Sequence, residues 1–493
     1  MLFDSLSFVI FFPTVAVLYY VFSEQYRPYL LLVASCIFYM AFVPKYILIL
    51  FALITLDFIL AQFIVRYAGR KRLALLWMSI CANLGMLFFF KYFNFFNVNL
   101  ADLAASLHWN YSPVLLNIVL PLGLSFHIFQ SLSYVIEVYR GKFQPERNYL
   151  LYALYVMFFP QLVAGPIERP GHLLPQLHAA HQWNRAGIIL GLERMLWGFF
   201  KKLVIADNLA PVVDHIYGGN IHDGPALIFG ALLFSFQLYC DFSGYSDIAV
   251  GSARVLGFEI MENFDRPFAS RSIGEFWRRW HMSLSNWLRD YLYYPLVLGG
   301  RHHSAARLYA SLVVTFVLIG LWHGANWTYV AYGAIFGFYL VIGSLTEKLR
   351  KRFRSAIGLE KAPKLLHAVQ VIATFLLVML AFIVFRSTTI SQAFGIISHL
   401  GTNISQILSL SYIRYTLLGF PVLGPNGNKF ALLGAFLGII VLEYVHHFQT
   451  KQSSPAPWAA WSPAWRFAWR YTAFFALVIF GNFGALTFIY FQF

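Results

Sequence analysis

Apolar runs of about twenty residues recur from one end of this sequence to the other, and no other feature restricts its fold as strongly. They lie near 6–22, 28–43, 46–65, 74–95, 112–138, 148–165, 186–206, 225–252, 309–344, 366–385, 429–446 and 469–491, and 309–344 is long enough for two helices. A helix of that length crosses about 30 Å of hydrocarbon, where no water is available and the backbone must satisfy its own polar groups. The expectation is an all-α, polytopic integral membrane protein with roughly 11 to 13 transmembrane or re-entrant helices. Only 12% of the 493 residues are charged, about half the share in a soluble domain, and they cluster between the apolar runs. A single membrane domain over 1–493 follows, with the chemistry-bearing motifs in 121–345 and further spans over 366–493.

The net charge of +15 reads as cytoplasmic loops beside membrane lipid, not as a nucleic-acid surface. Arg66, Arg70, Lys71 and Arg72 form one basic loop, Arg140, Lys142 and Arg147 another, and 348–364 a third with seven Lys or Arg. The loop from Asn97 to Tyr111 carries none and lies one span from each of the first two, so it is expected outside. Counting spans back from Arg66 and forward from 364 places both Met1 and Phe493 outside as well. Residues 1–5 contain Asp4 and no Lys or Arg, so the first run lacks a signal peptide's basic flank and is expected to remain a span. Cys36, Cys81 and Cys240 lie in apolar stretches without disulfide or zinc spacing and read as packing residues.

Residues 253–305 break the pattern, because Arg, Asp, Trp and Tyr interleave there and no clean span can be drawn. On a helix, Trp277, Trp280, Leu284, Trp287 and Tyr291 share one face, while Arg278, Arg279, Asn286, Arg289 and Asp290 share the other. This predicts one interfacial or re-entrant amphipathic helix, with His281 near the border of its faces and Pro295, Gly299 and Gly300 closing it.

No GxxxxGK loop, HExxH helix or GxSxG elbow is present, so chemistry is sought among ionisable residues inside apolar runs, which are expensive there and by default face a cavity or partner. His323, bordered by Trp322 and followed by Gly324, is a single titratable group in an otherwise uncharged stretch. A neutral imidazole there suits proton transfer from a hydroxyl nucleophile to a leaving thiolate, and Gly324 would admit a close backbone. The competing account is a histidine bonded to a carbonyl in the core. His281 is the second candidate, with an interfacial solvated histidine as its plainer account; Asn286 and Asp290 would orient an imidazole or polarise a carbonyl, or simply meet solvent. Asp241 and Asp247 read as a structural network with arginines such as Arg266 or Arg271, in preference to a proton relay. Three prolines and Gly165 in 159–170 predict a helix broken at membrane depth, lining a cavity, against an ordinary loop beyond a span. Lys201 and Lys202 are expected to reach a headgroup surface from a helix end. His302, His303, His446 and His447 read as loop residues, and no metal site is assigned.

Taken together, Phe159-Pro160-Gln161, Gly165-Pro166-Ile167, Phe200-Lys201-Lys202, Asp241 to Asp247, Phe276 to Ser285, Trp322-His323-Gly324 and the terminal residues 488–493 resemble the membrane-bound O-acyltransferase (MBOAT) family over nearly the whole chain. The bacterial branch with alginate and peptidoglycan O-acetyltransferases is most similar, and the teichoic-acid D-alanyltransferase is more distant. The resemblance implies a thinned central region where tunnels from both sides meet, with His323 as the family's near-invariant histidine and His281 as the bacterial branch's second. It also implies no bound cofactor, acetyl-CoA or another cytoplasmic thioester as donor, and a periplasmic transferase partner that modifies the polymer from the bacterial inner membrane. Within that scheme His323 is general base or nucleophile, and His281 or Asn286 stabilises charge or orients the acceptor. Arg278, Arg279 and Arg289 are weaker candidates for holding donor phosphates, since interfacial arginines usually meet lipid. A transporter that passes an acyl donor or sugar intermediate without chemistry is the alternative outside the enzyme class.

Overall fold

The computed structural model describes residues 1–219, 223–299, 304–424, 428–452, 461–484 and 488–489. Expectations attached to Gly300, His302, His303 and 490–493 lie outside these. The described residues form helices and connecting segments without a strand. Seven helices among them are long and apolar enough to cross a bilayer: Pro44–Ile64, Gly69–Ser106, Gly224–Val255, Ala305–His323, Trp327–Leu345, Pro363–Arg386 and Lys429–Gln449. Their exposed positions carry large apolar side chains such as Leu48, Ile59, Ile342 and Ile372, which only lipid solvates without cost. The protein is a multi-pass membrane protein.

The remaining apolar runs are shorter or interrupted. Leu6–Val21 starts at Ser5, whose hydroxyl accepts the Phe8 N–H at 3.3 Å and so satisfies one of the helix's orphan donors. The 112–138 run is helical only from Leu124, and the start of the 469–491 run lies in the helix Pro463–Phe480, which ends at Gly481. The stretch expected as an outer loop from Asn97 instead remains helical through Ser106, because a π-helical turn at Phe88–Tyr92 carries the preceding helix onward without a break.

The chain divides into two compact units, and it passes between them within the helices Arg185–Phe199 and Gly224–Val255 and again between Met261 and Glu262. The first comprises Met1–Met195 with Ser246–Met261. In it Tyr149–Met157 stops early, and 158–168 run on as a buried non-helical segment containing Pro160 and Pro166. Side chains take over the bonds that the helix gives up: Ser35 accepts the Phe159 N–H at 3.1 Å, and the Gln161 amide donates to the Tyr155 carbonyl at 2.9 Å. Within a membrane, irregular backbone is tolerated where protein surrounds it, and residues 158–168 are all buried. Glu168 at its end is fully buried; it accepts the Met261 N–H and pairs with His172 at 2.7 Å. Asp57, which sequence reasoning did not single out, is also fully buried and accepts from Ser79 Oγ at 2.6 Å and Asn83 Nδ2 at 2.9 Å. Asp247 pairs with Arg194 at 2.6 Å.

The second unit comprises Leu196–Tyr245 with Glu262–Phe493. Its helices Ala305–His323 and Trp327–Leu345 form a tight hairpin. A Cβ on Gly320 would lie 2.0 Å from the Tyr329 carbonyl oxygen and one on Gly333 would lie 2.1 Å from that of Phe316, so the two backbones touch where only glycine fits. Lys201 and Lys202 do not reach a surface. The helix Arg185–Phe199 continues into a π-helical segment, Phe200–Ala206, which keeps both lysines buried. Lys202 Nζ pairs with Asp207 at 2.8 Å and Asp241 at 2.7 Å, and Lys201 Nζ donates to Ser243 Oγ at 2.9 Å. Asp241 and Asp247 thus form buried ion pairs, but with Lys202 and Arg194; Arg266 and Arg271 turn instead to Asp265 and Glu275 on their own segment. His446 and His447 lie in the helix Lys429–Gln452 rather than in a loop, and His446 Nε2 meets Tyr239 Oη at 3.1 Å. Of the cysteines, Cys240 is buried and Cys81 is exposed.

Candidate active site

The stretch expected as one amphipathic helix is two, Ile273–Arg279 and Met282–Leu288. Ser272 caps the first by accepting the Glu275 N–H at 3.2 Å. Trp280 is extended and His281 is left-handed, at φ 45° and ψ 54°, so the chain breaks at the histidine without a proline or glycine. A left-handed non-glycine residue persists only where its surroundings hold it. Asn263 supplies that hold. Its main-chain carbonyl accepts the Met282 N–H at 2.9 Å. Its side-chain Oδ1 meets the Ser283 N–H at 3.2 Å, Ser283 Oγ at 2.8 Å and His281 Nδ1 at 3.1 Å. The expected faces survive the break: Trp277, Trp280, Leu284 and Trp287 are buried, while Arg278, Asn286 and Arg289 are exposed. Tyr291 follows in a π-helical turn, Arg289–Tyr293, and Pro295 opens the short helix Tyr294–Leu298 instead of closing one.

His323 is the last residue of Ala305–His323. Gly324 ends that helix in an extended conformation, and Asn326 caps the next by accepting the Thr328 N–H at 3.0 Å. The His323 ring lies 5.0 Å from Trp322, 5.4 Å from Phe385 and 5.9 Å from Tyr332, centroid to centroid. A Cβ on Gly324 would stand 2.2 Å from the Tyr329 ring, so an aromatic side chain, not a backbone, exploits that glycine.

The structure brings the two histidines into one buried cluster. Trp322 sits beside both, with its ring 5.9 Å from His281, and Phe242 meets His281 edge-on at 4.7 Å. His281 is fully buried and His323 is 4% exposed. Burial, and after it the neighbouring His323, push the His281 imidazole well below its ordinary value, so it is neutral at physiological pH. A neutral imidazole in a low-dielectric aromatic enclosure is a competent proton acceptor, and charge that develops beside it is poorly screened.

The other residues singled out from sequence stand apart. Asn286 lies on the exposed face of Met282–Leu288, and Asp290 pairs with Arg289 at 2.9 Å. Arg279 pairs with Glu275 at 2.8 Å, and Arg278 is exposed. Sequence reasoning missed Asn263, Ser283, Phe242, Tyr332 and Phe385. The terminal segment, named from sequence only as part of the family resemblance, reaches the wall of this cluster: the Ile489 N–H donates to Asp241 Oδ2 at 2.8 Å, and Phe488 stacks on Tyr245 at 4.7 Å and packs against Phe242 at 5.9 Å. Nothing marks Asn263 in the sequence, where it sits among the charged residues Glu262, Asp265 and Arg266.

Comparison with known proteins bears on what this cluster does. The sequence profile of the membrane-bound O-acyltransferase family matches residues 72–391. A protein named probable alginate O-acetylase, from Pseudomonas aeruginosa, is 40% identical over 399 residues, which cover 80% of this chain and 73% of that one. A peptidoglycan O-acetyltransferase from Helicobacter pylori is 32% identical over 434 residues, covering 80% and 79%. A teichoic acid D-alanyltransferase from Streptococcus thermophilus is 30% identical over 285 residues, covering 54% and 68%. Both candidate histidines fall inside the matched region, and the chain belongs to the membrane-bound O-acyltransferase family, as an enzyme that transfers acyl groups to hydroxyls.

Proposed function

We propose that this enzyme takes an acetyl group from a cytoplasmic thioester, acetyl-CoA, and delivers it for O-acetylation of an extracytoplasmic polysaccharide of the alginate or peptidoglycan kind. The observation that carries the reading is the burial of His281 and His323 in one aromatic cluster of a chain similar over four-fifths of its length to proteins named as O-acetylases. Acetyl is favoured over D-alanyl because the alginate relatives align over 80% of the chain and the D-alanyl relatives over 48% and 54%.

In this mechanism an acceptor hydroxyl attacks the thioester carbonyl while an imidazole takes its proton; the C–S bond breaks, and the thiolate leaves with a proton returned by the imidazolium. His323 and His281 are the groups assigned to that transfer, and the aromatic walls exclude water that would otherwise hydrolyse the donor. Arg278, exposed on the segment that carries His281, is the arginine among the three best placed to meet donor phosphates, since Arg279 and Arg289 each hold a carboxylate. The polymer is reached through a periplasmic partner protein, with the enzyme in the inner membrane and its basic loops cytoplasmic.

Radiolabelled acetyl-CoA supplied to membranes tests the proposal. Wild-type membranes are expected to label envelope polysaccharide, and His323→Ala and His281→Ala, at matched amounts of folded protein, to lose at least roughly 10²-fold in rate. Undiminished labelling with His323→Ala removes it from the chemistry.

A further inference from the structure

Asn263 lies outside every motif that drew attention to this chain, yet it contacts three consecutive residues at the break that presents His281. Its amide orientation is fixed by chemistry. The Ser283 backbone N–H can only donate, so the side-chain atom 3.2 Å away must be the oxygen; the flipped amide would set N–H against N–H. That same oxygen faces His281 Nδ1 at 3.1 Å. An acceptor on that side requires the hydrogen to reside on Nδ1. In the neutral ring the lone pair is then on Nε2.

We propose that Asn263 is a positioning residue that holds His281 as the Nδ1–H tautomer and makes Nε2 its proton-accepting atom in acyl transfer. The inference rests on the proposed acyltransferase reading and sharpens it. Of the two roles open to His281, stabilising charge by donation or taking a proton, the resting tautomer supports only the second, because neutral Nε2 has no hydrogen to give. When Nε2 takes the acceptor hydroxyl's proton, the imidazolium's Nδ1–H bond to Asn263 Oδ1 becomes charge-assisted and strengthens. The other contacts serve the same end. Ser283 Oγ donates to Oδ1 at 2.8 Å, and the Met282 N–H bonds the Asn263 carbonyl at 2.9 Å, so the left-handed backbone of His281 and its ring are fixed by one residue. An amide suits the place better than a carboxylate, since a buried anion beside a neutral ring has no partner until the ring is charged.

The test measures acetyl transfer from acetyl-CoA against pH for the full-length protein in membranes, comparing wild type, Asn263→Ala and Asn263→Asp at matched folded protein. Asn263→Ala is expected to lower kcat by on the order of 10²-fold with little change in KM. Asn263→Asp keeps an acceptor at the same place and adds charge. It is expected to retain activity within about tenfold and to move the acidic limb of kcat/KM upward by roughly one pH unit, because a carboxylate makes the imidazole harder to deprotonate. If Asn263→Ala does not fold, the limb of Asn263→Asp decides alone. An unmoved limb, or equal losses in both variants at wild-type pH dependence, overturns the assignment and leaves Asn263 a structural clamp. Wild-type membranes that transfer no acetyl overturn the acyltransferase donor and this inference together, whereas active wild type with an unmoved limb overturns only the latter.

Discussion

Lys202 holds two carboxylates, Asp207 and Asp241, with all three side chains buried. Replacing it by Met leaves two buried anions facing each other, and such a loss costs about 3–5 kcal/mol where burial is this complete. Lys202→Met is expected to lower the thermal unfolding midpoint in detergent, and adding Asp241→Asn to recover part of the drop; an unchanged midpoint for Lys202→Met would mean the cluster contributes nothing. In the other unit, the hydrogen bond that His172 Nδ1 donates to Glu168 raises the half-exposed imidazole above its ordinary 6.5. A raised histidine stabilises the fold fully below pH 6.5 and ceases to as pH rises through the raised value, so His172→Gln should flatten that part of the unfolding profile. At this scale the sequence singled out His323 as a lone titratable group in an uncharged stretch, and His281, near Arg278 and Arg279, outweighed its plainer account only through the family resemblance. The sequence hid their partners. Asn263 is eighteen positions from His281, and Phe385 is farther still from His323, and nothing in a residue's type states which distant residue it will meet.

Most apolar runs of about twenty residues hold a helix over much of their length, and their interruptions are legible only where proline or glycine marks them. The buried break at 158–168 follows from Pro160 and Pro166. The break at His281 has no such marker, since tertiary hydrogen bonds from Asn263 impose it, and the pattern of faces alone predicts an unbroken helix there. Lys201 and Lys202 were misplaced for a related reason: a π-helical segment continues the helix past the point where its charges suggest an end. The hairpin of Ala305–His323 and Trp327–Leu345 offers a direct test of element packing. Gly320→Leu and Gly333→Leu should each abolish the monodisperse folded peak in fluorescence-detected size exclusion, whereas Gly343→Ala, with its nearest neighbouring atom 3.9 Å away, should leave it intact. A normal peak for Gly320→Leu would show that the two backbones do not meet as described.

For the whole molecule, hydropathy disclosed a multi-pass helical protein, while the number of full spans was harder to read because a run of apolar residues does not reveal whether its backbone stays helical to the end. The 112–138 run, helical only from Leu124, is the plainest case. Sidedness is open to measurement. In a background without Cys36, Cys81 and Cys240, a cysteine at Ser106 should react with an impermeant maleimide added outside spheroplasts, and one at Gly141 should react only after permeabilisation; the reverse pattern would invert the proposed topology. The tether at the far end of the chain bears on how such a protein is made. Asp241 Oδ2 receives the N–H of Ile489, 248 residues downstream, after Lys202 and Asp207 have long since been synthesised. A ribosome therefore delivers the cation first, its two carboxylates next, and the main-chain donor to Asp241 much later. A chain that stops short of residue 489 lacks that donor, so Asp241 enters the bilayer one main-chain bond poorer.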